Sequence, residues 1–152
     1  MRFVWTVGLS LFSASIHTTP VRAQEAATGQ SVQEFFDHFV ALGRAYYTAV
    51  AALYADDAVI QSVRRLPDGT GRTVRIIGAD WKRLIRTAMP IAQSRGDRDS
   101  FSDVPISVEG KRARIRCTRY SELKRYSTPY ELVLQSTQGN WQIIEEYSQS
   151  RP

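Results

Sequence analysis

The sequence predicts an α+β domain in which helices close over a curved antiparallel sheet, and three observations carry that prediction. Apolar residues at Val32, Phe35, Phe36, Phe39, Tyr46, Tyr47, Val50, Leu53 and Tyr54 recur in steps of three and four, which marks one face of a helix. Ala58-Val59-Ile60-Gln61-Ser62-Val63 then switches to a short run rich in β-branched residues, which reads as a strand. Beyond Ser100 the chain turns to alternating segments. Arg112, Arg114 and Arg116 interleave with Ala113, Ile115 and Cys117, and Tyr130, Leu132 and Leu134 share one face of the next segment.

With 152 residues there is room for one domain, and its 43% hydrophobic and 23% charged content is that of a globular chain. Residues 1–23 read as a signal peptide rather than as part of the fold. Arg2 precedes the uncharged run from Phe3 to Ile16, and Val21-Arg22-Ala23 offers a small-x-small cleavage site. The run is short for a membrane span. Export, to a periplasm or outside the cell, is therefore expected, with no membrane attachment after cleavage. Residues 24–30 are a polar, mobile leader, 31–149 form the domain and 150–152 a tail.

Removing Arg2 and Arg22 leaves 18 basic and 15 acidic residues, which weakens the case for a nucleic-acid partner that a pI of 9.7 suggests. Cys117 is the one cysteine, so no intrachain disulfide can form. The mature chain keeps a single histidine, His38, and offers no ligand set for a metal.

In chain order, Ser31-Val32-Gln33-Glu34 fits a capping box at the start of the first helix. Gly43 marks a break between two helices on the way to Tyr54. Asp56-Asp57 is expected to close the second helix and cap the turn that follows. A strand over 58–65 and another over 72–77 flank Pro67-Asp68-Gly69, where Pro presets φ and Gly supplies φ > 0. Asp80 is placed to cap a second long helix, whose stripe is Trp81, Leu84, Ile85, Ala88, Met89 and Ala92. Pro90 should kink or end it. Strand segments follow over 101–108, 112–123, 127–135 and 141–148.

Leu53-Tyr54-Ala55-Asp56-Asp57-Ala58-Val59 resembles the helix-to-strand junction of the NTF2-like superfamily, which includes SnoaL-like polyketide cyclases, ketosteroid isomerases and many exported domains. The order of elements over 31–149 is similar to that family's cone. The resemblance implies a curved antiparallel sheet with helices on its concave face, a pocket between them and a homodimer through the opposite face.

Ketosteroid isomerase chemistry requires a carboxylate base, with a tyrosine and a protonated acid on the enolate oxygen. Aligned on the junction, the base falls eight residues after Tyr54, at Ser62, and the tyrosine sixteen residues before it, at His38. The third place falls at Tyr130 or Glu131, and Tyr130 shares parity with Leu132 and Leu134. A neutral serine without a paired base does not abstract such a proton, so this activity is not expected. His38, with Tyr130 or Glu131, remains the alternative catalytic set, His38 serving as general base.

The expectation is an exported, non-catalytic domain that binds a small apolar or amphipathic molecule and needs no cofactor. Its candidate ligand-binding residues are Phe35, His38, Tyr47, Tyr54, Ser62, Trp81, Tyr130 and Ile144. One alternative is a SnoaL-like isomerase, cyclase or dehydratase using His38. Another is an interaction domain whose basic face, Arg112, Arg114 and Arg116 joined by Arg119, Lys124 and Arg125, meets a protein partner. Glu145 or Glu146 on the neighbouring strand could instead neutralise that row.

Overall fold

The computed structural model describes residues 30–151. The expected signal peptide over 1–23 and nearly all of the expected leader lie outside the described residues. Helix α1 (Val32–Arg44) starts as expected: Ser31 Oγ accepts from the Glu34 amide, and Glu34 accepts from the Ser31 amide at 2.8 Å. It buries Val32, Phe35, Phe36 and Phe39 on one face. The helical periodicity to Tyr54 is indeed divided. Tyr46 takes φ 58, and a 3-10 helix covers Thr48–Leu53.

Strand β1 (Tyr54–Arg65) begins four residues before the expected start. Asp56 and Asp57 consequently lie exposed on a strand and close no helix, because Tyr54 is already extended. Asp56 accepts from Lys82 Nζ at 2.7 Å instead. The Asp68-Gly69 turn joins β1 to β2 (Gly71–Ile77) as the sequence implies, with Gly69 at φ 85 and Asp68 Oδ1 accepting from the Thr70 amide.

Helix α2 (Gly78–Arg95) starts earlier than an Asp80 cap would allow. At Gly78 the chain presses so closely on β1 that a Cβ would stand 1.9 Å from the Ala55 carbonyl oxygen, and only glycine fits. Asp80 sits in the first turn, ion-paired with Arg83. Pro90 does not end the helix, which continues to Arg95 and stops at Gly96 in the left-handed conformation. Pro90 and Arg86, whose carbonyl loses its donor, are both exposed, so water can satisfy that oxygen.

The remaining strands are β3 (Asp99–Ser102), β4 (Ile106–Glu109), β5 (Arg112–Ser121), β6 (Tyr126–Thr137) and β7 (Asn140–Ser150). The strand expected over 101–108 is split in two around Asp103, which adopts φ 51. β7 runs one residue into the expected tail. The sheet is curved and unclosed, in the order β2-β1-β7-β6-β5-β3, with β4 also on β5.

It is mixed rather than purely antiparallel, because β1 and β7 pair in parallel. A parallel neighbour cannot be reached by a hairpin, and here the whole chain from β2 to β6 serves as the crossover. Both helices cover one face, and Phe35, Ile60, Ile115, Leu132, Leu134 and Ile143 form the fully buried centre. Among the described residues no helix is long and apolar enough to cross a membrane.

Candidate functional site

Strand parity decides which side chains face the helices. On β6 the residues Tyr130, Leu132 and Leu134 point inward, as their shared parity predicts, and Glu131 points outward to pair with Arg114 and Arg116. On β5 the inward set is Ala113, Ile115 and Cys117, and the same parity brings Arg119 and Ser121 inward. Arg119 therefore does not belong to the outer basic row.

β7 breaks its own alternation. Leu134 pairs with Ile143, yet the neighbouring Val133 pairs with Glu145, so Ile144 has no partner and forms a bulge. A bulge shifts every later residue to the opposite face. Glu146, Ser148 and Ser150 thus turn inward, where unbroken alternation from Ile143 would have sent Glu145 and Tyr147.

These strands and the stripe of α2 enclose a cavity of about 500 Å³, within the range of small-molecule sites. The α2 wall is apolar: Trp81, Leu84, Ile85, Ala88, Met89 and Ala92 all line it. This stripe is only partly covered by the protein, and Leu84 is 45% exposed. The sheet side is polar, with Tyr54, Ser62, Tyr130, Glu146 and Ser148. Arg44, Tyr46, Asp97, Asp99, Arg119 and Lys124 surround the end near the α1 terminus and β5.

The centre of the polar side is Glu146, 6% exposed. Tyr54, 2% exposed, donates its hydroxyl to Glu146 Oε2 at 2.5 Å. Burial pushes the Glu146 carboxyl above the usual carboxylate range; the hydroxyls of Tyr54 and Tyr130 and the charge of Arg119 counter this in part. Burial and then the charge of Glu146 hold Tyr54 and Tyr130 well above the usual phenol range, so both stay protonated donors. Burial also raises the carboxyl of Asp99, which lies 3.8 Å from Arg119 Nη1. Cys117 lies outside the lining, its thiol raised to about 11 by burial, and is an inert core residue.

Of the residues singled out from sequence, the fold gathers Tyr54, Ser62, Trp81 and Tyr130 around the cavity. It places the others elsewhere. Phe35 is fully buried in the core beneath α1. His38 is exposed on α1, outside the lining, and Glu131 is on the outer sheet face, so neither joins Tyr130 in a catalytic set. Tyr47 is 60% exposed, and Tyr46, turned by its positive φ, lines the cavity in its stead. Ile144 occupies the bulge and does not line the cavity. Sequence reasoning missed Glu146 because nothing in Asn140–Ser150 announces a bulge. Arg119 was legible from its parity with Cys117.

No protein-family model and no curated protein matches the chain. Solved structures do. An NTF2-like protein with a cystatin-like fold from Novosphingobium aromaticivorans is 17% identical over 76% of this chain and 77% of its own, with a TM-score of 0.57. An NTF2-like protein of unknown function from Pseudomonas putida is 12% identical over 76% of this chain and 81% of its own, with a TM-score of 0.60. Another from Shewanella oneidensis is 10% identical over 78% of this chain and 96% of its own, with a TM-score of 0.58. At such identities the likeness establishes architecture and leaves the chemistry to the site itself. With its curved, unclosed mixed sheet and its helices on one face, this chain has the NTF2-like fold.

Proposed function

We propose that this domain binds a small amphipathic molecule between α2 and the sheet. The supporting observation is the mismatch of the two walls: an apolar helix stripe left partly uncovered faces a buried polar cluster around Glu146. A molecule lying there would cover apolar surface at roughly 25 cal/mol per Å² and meet hydrogen-bonding groups opposite. The neutral dye N-phenyl-1-naphthylamine is a direct probe. It should bind the wild-type protein saturably, and Ala88→Phe, which projects a ring from the cavity lip, should weaken binding about ten-fold or more. Equal affinity in both proteins would place the dye elsewhere and overturn the reading.

A second reading is supported by Glu146. A buried carboxyl with a raised pKa, beside two phenols, suits proton transfer at a carbonyl compound. The SnoaL-like isomerase, cyclase or dehydratase alternative would then use Glu146, not His38, as its acid or base. The interaction-domain alternative draws less support, since Arg112, Arg114 and Arg116 already meet Glu145 and Glu131 within the chain. Export directed by residues 1–23 and a homodimer across that outer face complete the proposal. Secretion of a tagged full-length chain and its native mass would test both.

A further inference from the structure

Among the described residues, three buried side-chain polar atoms have no hydrogen-bond partner in the protein: the hydroxyl of Tyr46, Nε1 of Trp81 and Nε of Arg119. All three residues line the same cavity, the one between α2 and the sheet. All three atoms can donate a hydrogen bond, and two of them, the N–H groups, can do nothing else. Buried donors left unmatched are costly, and native proteins keep few of them.

Arg119 carries the greatest imbalance. Its side chain is 18% exposed. Nη2 is committed to the Gln149 carbonyl at 2.7 Å, and the guanidinium lies 5.9 Å from the centre of the Tyr130 ring. Among the described residues the carboxylate within 4 Å is that of Asp99, 3.8 Å from Nη1 with no hydrogen bond between them; Glu146, farther off, also feels the charge. A charge this far from water ordinarily has a closely bonded partner. Lys124, exposed on the cavity lip, adds a second cation with no ion pair among the described residues. Asp97 and Asp99 line the same end and would repel an anion approaching Nη1. Nε itself is covered, so an anion meets the part of the Arg119 side chain that lines the cavity, on the side of Lys124.

Deepening the ligand-binding reading above, on which it rests, we infer that the ligand is an amphipathic carboxylic acid bound as its anion, with its head beside Arg119 and Lys124 and its apolar body along the α2 stripe. The acceptor oxygens of a carboxylate answer a set of unmatched donors, and its charge answers the guanidinium.

Decanoate, 1-decanol and decyltrimethylammonium, three chains of equal length with different heads, test this by displacement of N-phenyl-1-naphthylamine at neutral pH. Decanoate should bind about ten-fold or more tighter than decanol, and the ammonium weakest. Arg119→Gln should reduce the preference for decanoate over decanol to about two-fold or less, each displacement being referred to the dye's own affinity for that variant. Should Arg119→Gln fail to fold, the carboxyl signal of [1-13C]decanoate on the wild-type protein decides the same question. Its bound pKa should fall below the free value beside a guanidinium and rise in a merely apolar site. Dye binding with no preference for decanoate, or a preference that survives Arg119→Gln, overturns the carboxylate assignment and leaves the ligand-binding reading standing. Failure of the dye itself to bind overturns that reading first.

Discussion

The hydroxyl of Tyr54, the first residue of β1, donates to Glu146 of β7 at 2.5 Å, so the first and last strands meet at a buried acid as well as in their parallel ladder. The bond exists because a bulge at Ile144 reverses the parity of the strand end. It ties the one acid deep in the cavity to the junction on which the sequence pattern turns.

That acid has a pH consequence. Burial raises the carboxyl of Glu146 in the folded state, so the unfolded chain ionises first as pH rises. The folded state then holds more protons, and stability falls as pH climbs from the ordinary glutamate value toward the raised one. Asp99 is shifted the same way. Glu146→Gln removes the Glu146 contribution and keeps an acceptor for Tyr54. Its melting temperature, relative to wild type, should therefore rise between pH 4 and pH 7, and a constant difference across that range would contradict the assignment.

Gly78 and Gly69 should respond very differently to alanine. A Cβ at Gly78 meets the Ala55 carbonyl at 1.9 Å, a backbone atom that cannot swing aside. Gly78→Ala should cost about 3 kcal/mol or more in urea unfolding. Gly69 has open space around it and only its φ of 85 to lose, so Gly69→Ala should cost about 1–2 kcal/mol.

Much of the architecture was legible because it rests on local chemistry. The capping box at Ser31, the turn at Asp68-Gly69, the α2 stripe and the inward parity of Tyr130 all follow from spacing. Where the sequence misled, a long-range contact had overridden a local preference. Asp80 lost its capping role because α2 starts at Gly78 against β1, and Asp56-Asp57 lost theirs because the strand begins at Tyr54. The site was half legible for a related reason. Trp81 and Tyr130 follow regular periodicity, and Ser62 follows the family resemblance aligned on Tyr54, whereas Glu146 follows a bulge that only strand pairing reveals.

His38 and Phe35 separate surface from core. His38→Ala, at an exposed position off the cavity, should change stability by less than about 0.5 kcal/mol and dye affinity by less than about two-fold. Phe35→Ala, at a fully buried position, should cost about 3–5 kcal/mol in the same unfolding assay.

The most direct test of the binding site uses its only described methionine. The chain has two, Met1 and Met89, and Met89 lines the α2 wall. In protein labelled with [13C-methyl]methionine, the Met89 signal is assigned by its loss in Met89→Leu and followed during addition of N-phenyl-1-naphthylamine. A saturable shift of that signal, with the midpoint of the fluorescence titration, is the expected result. Dye fluorescence that saturates while the Met89 signal stays fixed would contradict binding between α2 and the sheet.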